Sequence, residues 1–391
     1  MRIGRSIQLI MTEAKCDFCG TKELEKVYTP KGTRRGLSVY TCPLCGLVQS
    51  LPRIDHVEDK TISTSGDADW GNVRYGKQFR AKFAVDTLSR YVNRFNLNHE
   101  RMNVLDVGAG KGNFISAFSY RHRMKEVTLV EPDKSLKPEE FGFWREGIDA
   151  EMLDWIDRRF EDIGLPFSHF DVVHCSHTLE HMKSPMATLK KIWDAMIMGG
   201  LLFIEVPNIE IIGSTNFIEE FFIDKHLYHF SYSTLAKYLR WSDFEIVEAN
   251  ISQENISVVA EKVEYTILDR REKLRDKQLL DLYAAVKDLR PLFAKQQAER
   301  INRLAKEKRV IIWGAGRIFD LMLKAGLNRE ALGFVVDKYL PDITRPNELQ
   351  EAEIGAIDLL IIASREYAKE IEQEARGLGF ECEVKVWSEL E

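Results

Sequence analysis

The sequence predicts an α/β protein built in three domains. Three observations carry this: four short apolar runs separated by helical or loop stretches in the middle of the chain, a second and shorter series of the same kind after residue 309, and two Cys-x-x-Cys pairs near the start. Strand signals that alternate with helix signals put the strands in a mostly parallel sheet with helices on its faces. A chain of 391 residues is also longer than one hydrophobic core commonly supports.

The first domain is expected over 1–65. Its opening, Met1 to Met11, has two arginines and the short apolar stretch Ile7 to Met11, but no apolar run of signal-peptide length and no small-residue cleavage site. Cys16-x-x-Cys19 and Cys42-Pro-Leu-Cys45 are separated by 22 residues, and a glycine (Gly20, Gly46) follows each pair directly. Two such knuckles can offer four thiolates tetrahedrally to Zn²⁺ at about 2.3 Å. Four protein ligands leave the metal no open position, so Cys16, Cys19, Cys42 and Cys45 are assigned a structural zinc. A redox role is disfavoured because one pair would suffice for it.

The second domain is expected over 66–262. It opens with apolar positions three and four apart from Gln78 to Val92, the spacing of an amphipathic helix. Strands follow at Met102 to Val107, Val127 to Val130, Phe170 to Cys175 and Leu201 to Val206. Phe244 to Glu248 and Asn255 to Glu261 finish the sheet in antiparallel fashion. Residues 263–308 read as a charged helical linker, with Pro291 as its one expected break. The third domain, 309–391, has strands at Val310 to Trp313, Phe334 to Asp337, Leu359 to Ala363 and Cys382 to Trp387.

Composition limits the partners. The net charge of -6 gives no global attraction for a phosphate backbone, so nucleic acid is not expected. No apolar run reaches the roughly 18–20 residues of a membrane span. Of six cysteines, four are paired in the knuckles while Cys175 and Cys382 stand alone, which favours a reducing cytoplasm over an export compartment.

The strongest local signal is Val104-Leu105-Asp106-Val107-Gly108-Ala109-Gly110-Lys111-Gly112-Asn113-Phe114, a buried strand that runs into a glycine-rich turn and then a helix. Such a turn lets backbone amides approach a ligand at a helix start. A second strand ends in Glu131 about twenty residues on, where a carboxylate can accept both hydroxyls of a ribose. The Asp-Val-Gly-Ala-Gly-Lys-Gly arrangement resembles the first motif of class I methyltransferases, which use S-adenosylmethionine (SAM). The resemblance covers roughly 100–260 and takes in Phe160-Glu161-Asp162, Phe170-Asp171-Val172-Val173, His177-Thr178-Leu179-Glu180-His181 and Gly199-Gly200-Leu201-Leu202. It implies a Rossmann-like central domain in which Asp106, Gly108, Gly110 and Gly112 meet the methionine portion, Glu131 the ribose, and Glu161 and Asp162 the adenine.

A four-cysteine module, a SAM domain and a smaller C-terminal Rossmann-like domain, in that order, further resemble the zinc-containing sugar C-methyltransferases. Those enzymes act on nucleotide-linked keto-sugars in deoxysugar biosynthesis. That family has a Glu-His pair after the fifth strand, with a Tyr two residues before the Glu, and its histidine is the proposed base. Here His226 matches the histidine, while Lys225 stands in place of the Glu and Ile223 in place of the Tyr. The resemblance therefore implies transfer to a nucleotide-linked sugar, at carbon or oxygen, with His226 as general base and His181 beside it. His177, Tyr75 and Tyr228 are further acceptor-side candidates.

In the third domain Trp313-Gly314-Ala315-Gly316-Arg317 opens a helix after a strand, but Phe319 stands where a dinucleotide fingerprint has its third glycine. Gly314, Gly316 and Arg317 are candidates for holding the acceptor's phosphates, with a packing role as the other reading. Two other readings stay open at this point: an RNA or protein methyltransferase that grips its polymer with the zinc module, and a SAM-binding protein without catalysis.

Overall fold

A computed structural model describes residues 14–30, 36–53, 76–94, 102–134, 136, 152–214, 217, 220–264, 289–338, 340, 343–365 and 367–390. Tyr75 and most of the expected linker lie outside these residues. Three sheets organise the rest.

The N-terminal sheet has the order β1-β2-β3-β9, from β1 (Glu25–Tyr28), β2 (Ser38–Thr41), β3 (Val48–Leu51) and β9 (Tyr228–His229), all antiparallel. Its last strand comes from the segment that the sequence assigns to the second domain: Val48 pairs with His229 and Gln49 with Tyr228. The 1–65 boundary therefore cuts through a sheet. Cys16, Cys42, Cys45 and Leu47 are buried in the same apolar cluster as Leu105, Val107 and Val173 of the central sheet.

The central sheet has seven strands: β4 (Met102–Val107), β5 (Met124–Val130), β6 (Leu153–Ile156), β7 (Phe170–Ser176), β8 (Met196–Pro207), β10 (Phe244–Ile251) and β11 (Asn255–Lys262). Their order is β10-β11-β8-β7-β4-β5-β6. The five strands from β8 to β6 are parallel, and β11 and β10 close the sheet antiparallel, as the sequence predicts. Alternate side chains serve opposite faces. Val104, Val127, Val172, Leu201 and Phe203 meet α1 (Gly76–Arg94) and α2 (Asn113–Ser119). Leu105, Val107, Val173, Leu202 and Ile204 meet α3 (Pro185–Ala195) and α4 (Tyr232–Trp241). Both faces are covered, which is why these strands read as unbroken apolar runs. The short β6, four residues with Leu153, Trp155 and Ile156 only half-buried, is too brief an apolar run to be seen in the sequence.

The C-terminal sheet is parallel throughout, in the order β13-β12-β14-β15. Its strands are β12 (Val310–Trp313), β13 (Phe334–Val336), β14 (Leu359–Ile362) and β15 (Glu383–Val386). It is flanked by α5 (Arg290–Glu307), α6 (Arg317–Lys324), α7 (Glu351–Gly355) and α8 (Ala368–Gly377). Pro291 is not a break. It occupies the first turn of α5, where its missing N–H costs no helical bond and its fixed φ suits the start.

Candidate active site

The chain leaves β4 toward β5 on one side and later returns to β7 on the other, so the sheet order reverses between β4 and β7. Ligands of open α/β sheets bind at the carboxyl ends of strands at such a reversal. The glycine turn follows β4 there, and the His177–His181 segment follows β7.

Gly108 adopts a left-handed φ of 74°, and a Cβ added to it would lie 2.0 Å from Thr178 Oγ1, so only glycine lets the two loops approach this closely. Gly108 and Ala109 donate to the carbonyl of Val130 at 2.8 and 3.1 Å. Glu131, buried at the end of β5, accepts from Gly110 N at 2.8 Å and from Asp133 N at 2.9 Å. Asp106 is buried with one oxygen 2.7 Å from His174 Nδ1, while its Oδ2 has no hydrogen-bond partner among the described residues. Glu161 accepts from Lys183 N at 3.1 Å, and Asp162 is exposed beside it in the 3₁₀ turn Phe160–Asp162. An orphaned acidic oxygen, a run of turn amides and a carboxylate at the next strand end fit SAM. Asp106, the Gly108–Gly112 turn, Glu131, Glu161 and Asp162 are the residues that would hold it.

The acceptor side is a cluster of imidazoles around Glu180. His177 leaves β7 with a positive φ of 49°, and Leu179–His181 then form a 3₁₀ turn, so His177 and His181 do not share a regular helical face. Glu180 is buried, and its Oε1 lies 3.4 Å from His177 Nδ1, 3.8 Å from His181 Nε2 and 4.0 Å from His226 Nε2. The rings of His181 and His226 have centroids 5.0 Å apart. Burial opposes ionisation of Glu180, but His181 and His177 hold its carboxyl below the usual value. His226 is pushed well below the ordinary imidazole value, first by burial and then by His181, His229, His177 and Arg317. Its ring is therefore neutral near pH 7. The carboxylate beside His226 thus comes from the turn after β7, while Lys225 precedes that histidine in the chain.

A second buried carboxylate, Glu205 on β8, lies behind the cluster. It accepts from Ser176 Oγ at 3.0 Å and Ser257 Oγ at 2.8 Å, with His177 Nε2 at 3.4 Å. Burial raises its pKa, yet His177, Arg80 and Ser257 bring it down to about 2. The two carboxylates also lift His177 above its usual value against burial and Arg80. Arg80 Nη1 nevertheless lies 2.8 Å from His177 Nε2. A guanidinium can only donate, so that ring nitrogen accepts and the imidazole is neutral in this geometry.

Tyr228 has a different employment from the acceptor role expected of it. Its ring is packed beside Cys16 and its hydroxyl donates to Lys183 O at 2.8 Å. Arg317 lies close enough to His226 to depress its basicity, which brings the third sheet to the cluster. Gly316 precedes α6, and Gly314 has a φ of 110° where an added Cβ would lie 3.1 Å from Ala363 O. Asp337 at the end of β13 accepts from Ala315 N at 3.0 Å, much as Glu131 accepts from the first glycine turn. The sequence reading passed over Glu180, Glu205, Arg80 and His174. Glu180 stood inside the quoted Leu-Glu-His element, whereas Arg80 carries no motif and is found only through the packing of α1.

The two cysteine knuckles have the same backbone: Gly20 N bonds Cys16 O and Gly46 N bonds Cys42 O, with φ of 73° and 76° at the glycines. Cys16 and Cys45 sulfurs are 3.4 Å apart and Cys19 and Cys42 sulfurs 3.5 Å, and all four lie within 4.8 Å of one another. Four sulfurs around one zinc at about 2.3 Å stand roughly 3.7 Å apart, so the donor set fits that ion.

The sequence model of a methyltransferase-domain family matches residues 77–249. Residues 77–249 are a methyltransferase domain. The match spans α1, both loops at the sheet reversal and β4 to β10, and leaves the cysteine knuckles and the third sheet outside. No protein of curated function matches the chain. Among solved structures the methyltransferase is similar to an S-adenosylmethionine-dependent methyltransferase from Clostridium acetobutylicum, with 13% identity, 53% of this chain and 96% of the other covered, and a TM-score of 0.39. A second, from Mesorhizobium loti, has 14% identity, 42% and 92% coverage and a TM-score of 0.34. A third is the 1,6-didemethyltoxoflavin-N1-methyltransferase of Burkholderia thailandensis, with 15% identity, 61% and 100% coverage and a TM-score of 0.32. At such identities and scores they carry nothing to this chain about acceptor or residues.

Among the described residues no helix is long and apolar enough to cross a membrane.

Proposed function

We propose that this methyltransferase acts on a nucleotide-linked sugar, at carbon or oxygen, with the acceptor's proton received by the histidine cluster and His226 as its first candidate. The observation that carries the reading is the pair His181 and His226 over the buried carboxylate of Glu180, at the same sheet edge as the glycine turn and within the influence of Arg317. A neutral imidazole has the lone pair that proton removal needs, and a carboxylate beside it stabilises the imidazolium that forms. When bound, SAM supplies the electrophilic methyl group. The chain's own part is to hold the acceptor against it and exclude water.

Arg317 and the amides that follow Gly314 and Gly316 would take the acceptor's phosphates. The four cysteines hold a structural zinc that fixes the knuckles on the central sheet, and a reducing, cytoplasmic setting suits thiolate ligands.

The test is mass spectrometry of the purified chain with SAM and a panel of nucleotide-linked 4-keto and hydroxy sugars. A product heavier than its acceptor by one CH₂ is expected, and His226→Gln should slow its formation about 100-fold or more while SAM binding by calorimetry is unchanged. Turnover on RNA or on a peptide, with none on any sugar nucleotide, overturns the reading.

A further inference from the structure

Glu180 is a buried charge whose pairing is incomplete. It is 1% exposed, and neither oxygen accepts a hydrogen bond from any described residue. The approach of His177 Nδ1 at 3.4 Å lacks hydrogen-bond alignment. Arg80, which could balance the charge, is turned to His177 Nε2 at 2.8 Å and Glu205 at 3.8 Å. A carboxylate in such a place is expected to be protonated, paired or coordinated.

The surroundings favour coordination. His181 Nδ1 is 2.8 Å from the carbonyl of Lys225. A carbonyl only accepts, so Nδ1 carries the hydrogen and in the neutral ring the lone pair is on Nε2, the atom 3.8 Å from Glu180 Oε1. Ligating imidazoles are oriented by this kind of outer contact. His226 Nε2 is at 4.0 Å from the same oxygen, and one ligand atom from each of the three residues lies within 4.8 Å of the others. Two ligands at about 2.1 Å from a metal stand roughly 3–3.5 Å apart, so closure by under about 2 Å completes the set.

We propose that Glu180, His181 and His226 bind a divalent transition-metal cation, of the Mn²⁺, Fe²⁺, Co²⁺ or Zn²⁺ class, at the acceptor end of the methyl-transfer site. Two imidazoles and one carboxylate leave coordination positions open, unlike the four-cysteine set. Binding rests on this ligand geometry alone. Its use rests on the methyl-transfer reading: an open position would take an oxygen of the acceptor and raise its acidity, so that its proton passes to solvent. A ring that ligates through Nε2 cannot take a proton there, and loading the site therefore replaces His226 as proton acceptor.

The test uses the full chain with its cysteine site filled by zinc, titrated by calorimetry with Co²⁺ alone. One Co²⁺ per chain is expected to bind, with visible absorption that lacks a thiolate charge-transfer band, and to raise the melting temperature. Glu180→Gln, nearly the same size, should weaken binding at least tenfold and abolish the thermal shift, and His181→Asn should do the same. Unchanged circular dichroism and SAM affinity show that each variant is folded. Absence of binding in the parent chain, equal binding in both variants, or a cobalt spectrum with thiolate character overturns the site. Because no sugar enters these measurements, a failed sugar panel leaves their result standing, and a cobalt failure leaves the sugar reading standing.

Discussion

Single positions in this chain often have one tolerable occupant, and Gly108 is the clearest. Replacing it with alanine places a Cβ at a left-handed φ and 2.0 Å from Thr178 Oγ1. Gly108→Ala should cost about 1–3 kcal/mol of stability through backbone strain and lower SAM affinity at least tenfold, read by thermal melting and calorimetry. His229 is a second such position. It is buried with Nε2 2.8 Å from Ser50 Oγ, and burial lowers its pKa to about 3. Since the unfolded ring titrates near 6.5, the unfolded chain takes up the proton first as pH falls from about 6.5 toward 3. His229 thus contributes no loss of stability above about pH 6.5 and a growing loss below it, of about 1.4 kcal/mol per pH unit. Urea unfolding between about pH 7 and pH 5 should show a shallower decline in His229→Gln than in the parent chain.

At the level of elements, each site group is fixed by the end of a strand or the start of a helix. Helix α4, which packs Leu235 and Leu239 beneath the central sheet, begins with a reciprocal cap: Thr234 N donates to Ser231 Oγ at 3.3 Å, and Ser231 N to Thr234 Oγ1 at 2.9 Å. Ser231 lies two residues after β9, so this cap also holds the histidine segment in place. Ser231→Ala should destabilise the chain by about 1 kcal/mol, visible as a lower urea midpoint with an unchanged slope. Strand β9 shows the limit of local reading. Two residues, Tyr228 and His229, have no strand pattern of their own, and only pairing with β3 makes them one.

Over the whole molecule, the knuckles, the central sheet and the histidine cluster are mechanically one piece. Ser50 N bonds Leu227 O at 2.8 Å, His226 is the next residue back, and Leu227 N bonds Glu180 O at 2.8 Å. Loss of a metal held by the four cysteines should therefore reach the histidine cluster. Cys42→Ser, which removes one thiolate, should lower the melting temperature and reduce methyl transfer more than it reduces SAM affinity, because the glycine turn hangs on β4 and β5 instead. Equal losses of both would contradict this coupling. The third sheet is tied to the second by the Arg365–Glu254 ion pair at 2.7 Å, with Arg365 only 4% exposed, and by Arg290 over the Phe217 ring at 4.6 Å.

The sequence by itself determined the strands of the central and C-terminal sheets other than β6, the glycine turn with Glu131, and the two cysteine knuckles. In each of these the signal lies within a few residues: unbroken apolar runs for strands covered on both faces, glycines where φ is positive, and a fixed spacing of thiols. What only the tertiary structure decided is long-range. Asp106 with His174, Glu180 with His181 and His226, Arg80 with His177, and β3 with β9 join residues 45 to 180 or so apart, or neighbours whose orientation the turn alone sets. Such pairs leave no period in the chain, because burial and charge balance act on distances in space, and those exist only once the sheet order is fixed.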